Sequence, residues 1–438
     1  METIEAINHD PNTSSAAEFC PNPDCRYHNR EHAAAHPHWA LAHGRYHTKA
    51  RGFIQRFKCS LCGKTCSTQT FSIHYWCHRT IEFEEIEAAL VSNSGQRQCA
   101  RALSTSVGVI KNRLRRLARN YLAVYAEAFV DLVISEDCAF DGFESYLRSQ
   151  YFPTNLNLFV GCETQAVYGL NGVVMRRKGR MSEPQKTVRA LIDRHWRPRR
   201  GALRRRCERL FGDLAEHLPL DRVAAGPRGS APDAPDAPEG SEEREHPGEP
   251  VSWTLVTDEH RAYPQALKRV RPIAEALASG RMRHLTVSSR RKRTRENPLF
   301  AVNYIDRELR KDMADHTRET VRQAREGNAA IQRTFVELAH HTFAKPFRIS
   351  NRVCTKAELT HGEIAGLTVR TATRRALERV HTHRHVFSHL SELGTVKRWM
   401  SDIWFERYEN PPVVNTKTGS VSTKRVPGAL RPPQHMLC

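Results

Sequence analysis

The sequence predicts an α/β protein in which a strand-and-helix domain follows two small amino-terminal modules. Three observations carry that expectation: two close cysteine pairs near the start, a basic helical stretch after them, and then short apolar runs alternating with helical periods.

The first module is read over residues 15–78. Cys20 and Cys25 stand in FCPNPDCRY, and Cys59 and Cys62 in RFKCSLCGKT. The second pair is a CxxCG knuckle, in which two thiolates converge on one ion and the following glycine, Gly63, relieves the tight turn. Two such pairs separated by a loop make a zinc ribbon, with one Zn²⁺ held by Cys20, Cys25, Cys59 and Cys62. His28, His32, His36, His38, His43 and His47 lie between the pairs and are alternative ligands or loop residues. Cys66 and Cys77 have no close partner and are read as packed residues.

The second module is read over 79–125. FEEIEAALVSN places apolar residues at 83, 86, 89 and 90, and QRQCARALSTS forms a short helix ending in a turn. SVGVIKNRLRRLARNYL then puts Val107, Ile110, Leu114 and Leu117 on one face. Lys111, Arg113, Arg115, Arg116 and Arg119 fall largely on the others. A polar turn before a basic third helix is the pattern of a helix-turn-helix module, so these five cations are candidate DNA contacts, with Ser106 and Lys111 nearest the base edges. An ordinary three-helix connector fits the same periodicity.

The third unit is read over 130–330. LVISEDCAFDGFESY contains a strand carrying Asp141; NLNLFVGCE and AVYGLNGVVM are two more, joined by a hairpin turn at Thr164 and Gln165. Basic helices follow, then residues 223–250, whose repeated APD units and acidic second half bury little and read as a disordered linker. After it come the strand WTLVTDE, a helix through YPQALKRVRPIAEAL, the strand RHLTVSS and a long helix from near Pro298. The order is three strands, helix, strand, helix, strand, helix. That is the order of a ribonuclease H-like domain, in which the first and fourth strands lie side by side. Residues 331–438 are a basic carboxy-terminal region.

In that arrangement Asp141 and Asp258 meet. A carboxylate ending a buried strand is either a helix N-cap or the holder of a cation, and two of them side by side repel unless a divalent ion intervenes. Mg²⁺ or Mn²⁺ suits such oxygen ligands. On the long helix Val302, Leu309 and Met313 face the sheet and Asp306 shares that face, whereas Glu308 points away as a surface residue. An i,i+4 pair with Arg310 is the simpler account of Asp306.

CPNPDC, CSLCGKT, the helix-turn-helix, DGFES, TDEHRAYP and NPLFAVNYIDRELRKDMADHTRET together resemble bacterial insertion-sequence transposases of the acidic-triad (DDE) class, over most of residues 20–326. The resemblance implies a ribonuclease H-like fold, Mg²⁺, and the cutting and joining of DNA ends. It gives Asp141 and Asp258 the first two acidic positions. Aligning the long helix on the family's places Asn303 at the third, while the helix face favours Asp306.

Lys and Arg outnumber Asp and Glu by 68 to 48, a formal charge of +20, which favours a polyanionic partner. METIEAINHDPNTSSAAEF lacks the basic start and apolar run of a signal peptide, and no apolar run is long enough to span a bilayer. A bacterial cytoplasmic, nucleoid-associated protein is therefore expected, its 12 cysteines reduced. It would bind double-stranded DNA and act as a homo-oligomer, since strand transfer needs two ends held together. Two other readings fit parts of the sequence: a sequence-specific transcriptional regulator derived from an inactive transposase, and a structure-selective nuclease. The acidic set separates the enzyme from the regulator.

Overall fold

A computed structural model describes residues 17–220, 253–317, 322–347, 359–385, 411, 413–415 and 420–422. The linker expected at 223–250 and most of the chain beyond 385 lie outside the described residues.

The described chain is mixed α/β. It begins with α1 (Arg30–Ala35) and the antiparallel strands β1 (Ala40–Thr48), β2 (Gly52–Cys59) and β3 (Thr65–Ser67), in the order β1-β2-β3. Phe19, Trp39, Phe57 and Phe71 give this module its own small core. Three helices follow where the periodicity places them: α2 (Phe83–Val91), α3 (Gln96–Ala102) and α4 (Val107–Ala128). Ser106 caps α4 by accepting from the Val109 amide, and Ile110, Leu114 and Leu117 are buried as their spacing requires.

A second sheet is built from β4 (Cys138–Tyr146), β5 (Pro153–Gly161), β6 (Val167–Val174), β7 (Trp253–Asp258) and β8 (Met282–Val287). Its order is β6-β5-β4-β7-β8, with β4 antiparallel to β5 and parallel to β7. The first and fourth strands are thus neighbours, as the element order led us to expect. Helices α5 (Glu183–His195) and α6 (Ala202–Leu214) follow β6, and α7 (Ala262–Leu267) and α8 (Arg271–Ala278) join β7 to β8. The hairpin turn between β5 and β6 is held by the buried Glu136 carboxylate, which accepts from the Glu163 and Thr164 amides and from the Thr164 and Tyr168 hydroxyls. Asn155, Asn157 and Asn171 are buried in a hydrogen-bonded ladder ending on the Arg206 carbonyl.

The long helix expected from Pro298 is shorter than its sequence reading, and a separate helix lies beyond it. Helix α9 (Phe300–Asp312) stops at Met313, and α10 (Gly327–Phe343) follows after a non-helical connection. Asp, His and Thr in DMADHT favour helix weakly, and tertiary contacts decide the break. Asp315 pairs with the buried Arg333, and His316 is clasped between Ser145 and Thr334. Helix α10 crosses the boundary expected at 330 and is buried in the same core as the sheet and α4. Beyond it, α11 (His361–Ile364) and α12 (Thr371–Glu378) bring residues 379–385 onto the first module. Asn120 of α4 donates to the Val380 and His383 carbonyls, and the Arg384 amide donates to Phe71 O. A two-stranded pair, β9 (Val413–Val414) and β10 (Val421–Ser422), completes the described elements.

Candidate functional site

Two constellations stand out. In the first module Cys20, Cys25, Cys59 and Cys62 converge, with all four sulfurs within 4.8 Å of one another; among the described residues no other group of histidine, cysteine or carboxylate ligands is so tight. The Cys20–Cys62 and Cys25–Cys59 sulfurs are 3.5 and 3.7 Å apart. Tetrahedral thiolates at a Zn–S distance of about 2.3 Å stand about 3.8 Å from each other, so the set fits a metal ion such as zinc. Both loops turn as such sites require: the Gly63 amide donates back to Cys59 O with its own φ at +70°, and the Cys25 amide donates to Asn22 O. Burial raises the Cys62 thiol, but the Lys64 amide and the neighbouring thiols outweigh it and bring it down to about 7.

None of the six intervening histidines joins the cluster. His28 supports it instead, with Nδ1 2.7 Å from the Cys20 carbonyl oxygen, and His32 stacks on Tyr27. Cys66 is buried, and Cys77 receives a hydrogen bond from Arg113.

The second constellation lies on the five-stranded sheet. The register pairs Phe140 of β4 with Thr257 of β7, so Asp141 and Asp258 are the next residues on adjacent parallel strands. Asp258 is not a helix cap: its Oδ1 accepts from the His260 amide in the connection, and α7 begins after Arg261 without a side-chain cap. Asp141 Oδ1 accepts from the Gly142 amide at 2.7 Å and from the Tyr263 hydroxyl at 3.3 Å. Burial, and then the charge of Asp258, push the Asp141 carboxyl up to about 6.

Asp306 of α9 is buried within electrostatic reach of Asp141. Burial, and then the charge of Asp141, push its carboxyl up to about 8, with Arg293 and Arg310 opposing. Its Oδ1 is shielded from solvent and meets no donor. The expected alternative, an ion pair with Arg310, is not what the structure records: that guanidinium donates to the Glu144 and His316 carbonyls and lies over Phe143. Asp141 feels the charge of Asp258, and Asp306 that of Asp141, but the three carboxylates do not close to the spacing of the four cysteines.

The structure revises sequence expectations for Glu308 on α9 and for Arg113, Arg116 and Arg119 on α4. Glu308 is buried rather than on the surface, ion-paired with Lys311 at 2.9 Å and with Lys345, which the end of α10 delivers over that face. Those lysines overcome its burial and lower its pKa. Asn303 is half-buried one turn before Asp306, and no described hydrogen bond ties it to Asp141 or Asp258. On α4, Arg113 and Arg119 are buried, and Arg116 is half-buried with its guanidinium on the Ile73 and Tyr75 carbonyls. Arg113 and Arg116 tie the helix to the segment leaving the first module. Only Lys111 is fully exposed, with Arg115 half-buried.

Sequence reasoning did not single out Tyr263 or Arg293. Tyr263 could have been found in TDEHRAYP, where it follows Asp258 by just over one helical turn; Arg293 belongs to a loop with no periodicity to mark it. No helix among the described residues is long and apolar enough to cross a membrane. No family model matches the chain, and neither the curated proteins nor the solved structures provide a match.

Proposed function

We propose that this chain is a DNA transposase of the acidic-triad class, whose sheet is ribonuclease H-like and whose amino-terminal modules, a zinc ribbon and a helix-turn-helix built from α2, α3 and α4, recognise DNA ends. The observation that carries the reading is Asp141 beside Asp258 on adjacent parallel strands with buried Asp306 opposite. Residues that only shape a fold have no need of three like charges in one place.

The donor set fits a divalent cation. The Asp306 oxygen without a donor is a buried acceptor left open, and burial first and then a neighbouring carboxylate hold the Asp141 and Asp306 carboxyls high, a disfavoured charge that a cation would offset. Bound Mg²⁺ or Mn²⁺ supplies activation of the attacking oxygen and stabilisation of the leaving one. Tyr263 fixes Asp141 by engaging Oδ1, which leaves the second oxygen as the outward acceptor. Asp306, at about 8, keeps its proton at neutral pH until a cation replaces it. Arg293 lowers both raised carboxyls and places a positive charge where a scissile phosphate would approach. Water serves as the first nucleophile and a DNA 3′ hydroxyl as the second, so no side chain needs to form a covalent intermediate.

Under this reading the partner is double-stranded DNA, the working form is a homo-oligomer and the location is the bacterial nucleoid. The test is incubation of the full chain with Mg²⁺ and a duplex carrying the DNA that flanks the gene. Strand cleavage leaving 3′ hydroxyls supports the enzyme; tight binding without any cleavage supports the regulator.

A further inference from the structure

Between the β1–β2 hairpin and residues 75–81 runs a groove of about 830 Å³. Its rim combines aromatic and cationic side chains: Tyr46, Trp76, Lys49, Arg51 and Arg79. Trp76 is 74% exposed and its φ is +58°, a left-handed conformation that a bulky residue rarely adopts. Strain spent on holding an indole in solvent has no packing return. Tyr46 on β1 is also exposed, as is nearly the whole of that strand.

Beneath the rim the charge is unbalanced. Nε and Nη2 of Arg51 are shielded from water and meet no acceptor among the described residues, and Nε of Arg113 is in the same condition. His74 lies close by, its pKa lowered to about 3 by burial first and then by the cations Arg51, Arg113 and Arg116. The acid that approaches His74, Glu82, is more than half exposed. Shielded guanidinium donors without acceptors are a cradle for an anion carrying several oxygens.

We propose that this groove binds an unpaired stretch of DNA, with backbone phosphates on Arg51, Lys49 and Arg79 and one base stacked on Trp76. The assignment rests on the DNA reading above and adds a second contact surface, distinct from Lys111 and the face of α4. Stacked bases in a duplex present only their edges, so an exposed indole beside a phosphate cradle fits a base that has left the stack. A frayed or nicked end supplies such a base.

The test uses the full chain and fluorescence anisotropy with a labelled oligothymidine strand and, separately, a blunt duplex. Trp76→Ala should weaken single-strand binding roughly tenfold while Trp76→Phe retains it, and duplex binding should be unchanged. Arg51→Gln should reduce the salt slope for the single strand by about one contact. Unchanged thermal unfolding and metal content show that a variant is folded; if Trp76→Ala is not, Tyr46→Ala and Arg51→Gln carry the comparison. Wild-type binding to duplex but not to single strand, or full single-strand affinity in Trp76→Ala, overturns the site and leaves the proposed function standing. Loss of self-association in Trp76→Ala with DNA affinity intact also overturns it, assigning the face to a second copy of the chain. Failure of the wild type to bind either DNA overturns both readings.

Discussion

The Arg113 guanidinium donates to Cys77 Sγ at 2.6 Å and, through its other nitrogen, to the Arg79 carbonyl at 3.0 Å. A residue that reads in sequence as a phosphate contact is therefore a tie between α4 and the segment leaving the first module. We expect Arg113→Ala to destabilise the chain by about 1–3 kcal/mol, because it leaves its acceptors unpaired, and to leave the salt dependence of duplex binding unchanged. Lys111→Ala should do the reverse, lowering the slope of log K against log salt by about one without moving the unfolding transition. Parallel denaturation and salt titrations distinguish the two.

One bound metal per chain is expected at the cysteine cluster, lost in Cys59→Ser. Stripping it with a chelator should open more than the ribbon, since Phe71 O and Ile73 N are bonded to Arg384 and Thr382. Amide exchange in residues 17–78 and 379–385 should rise together on metal removal. Exchange confined to the knuckles would show that the metal is local.

Glu87 of α2 is buried, accepting from the Tyr121 hydroxyl and contacting His340 and His381 at 2.9 and 2.7 Å. Its burial acts to raise the pKa, and these partners overcome it, lowering the carboxyl from 4.5 to about 2. A depressed carboxyl stabilises the fold above its ordinary value and loses that contribution as pH falls from 4.5 toward about 2. Glu87→Gln should thus cost about 1–3 kcal/mol at neutral pH, and the gap to wild type should narrow on acidification. Equal losses at all pH values would exclude the charged form as the cause.

Asp306 carries the opposite sign. Its carboxyl is raised from 3.8 to about 8, so the folded chain holds that proton more tightly than the unfolded one. In the metal-free protein the contribution of Asp306 is fully present below the lower value and is lost as pH rises toward the upper one. Asp306→Asn removes that loss and should be more stable than wild type at alkaline pH by at least about 1 kcal/mol, a gap that added Mg²⁺ narrows. Thermal unfolding with and without Mg²⁺ measures it.

What the sequence disclosed and what it hid follow from the range of the interactions involved. CxxCG, the apolar run WTLVT and the spacing of Ile110, Leu114 and Leu117 are local signals, and the ribbon thiols, β7 and α4 stand where those signals place them. Asp141 and Asp258 could be paired because strand order alone determines which strands are neighbours. Long-range contacts decided the rest. Glu308 is buried because Lys345 arrives from another helix, and α9 ends at Asp312 because Arg333 and Thr334 claim the residues that follow. A basic helix also has no sequence mark that separates arginines facing DNA from arginines facing backbone carbonyls.

On the proposed function, Asp141 and Asp258 hold the metal for phosphodiester chemistry while DNA ends are bound elsewhere in the chain. The most direct measurement compares Asp141→Asn and Asp258→Asn with wild type for Mg²⁺-dependent cleavage and for end binding on the same duplex. The account predicts that each variant binds ends as wild type does and cleaves slower by orders of magnitude. Full cleavage by either variant would contradict it.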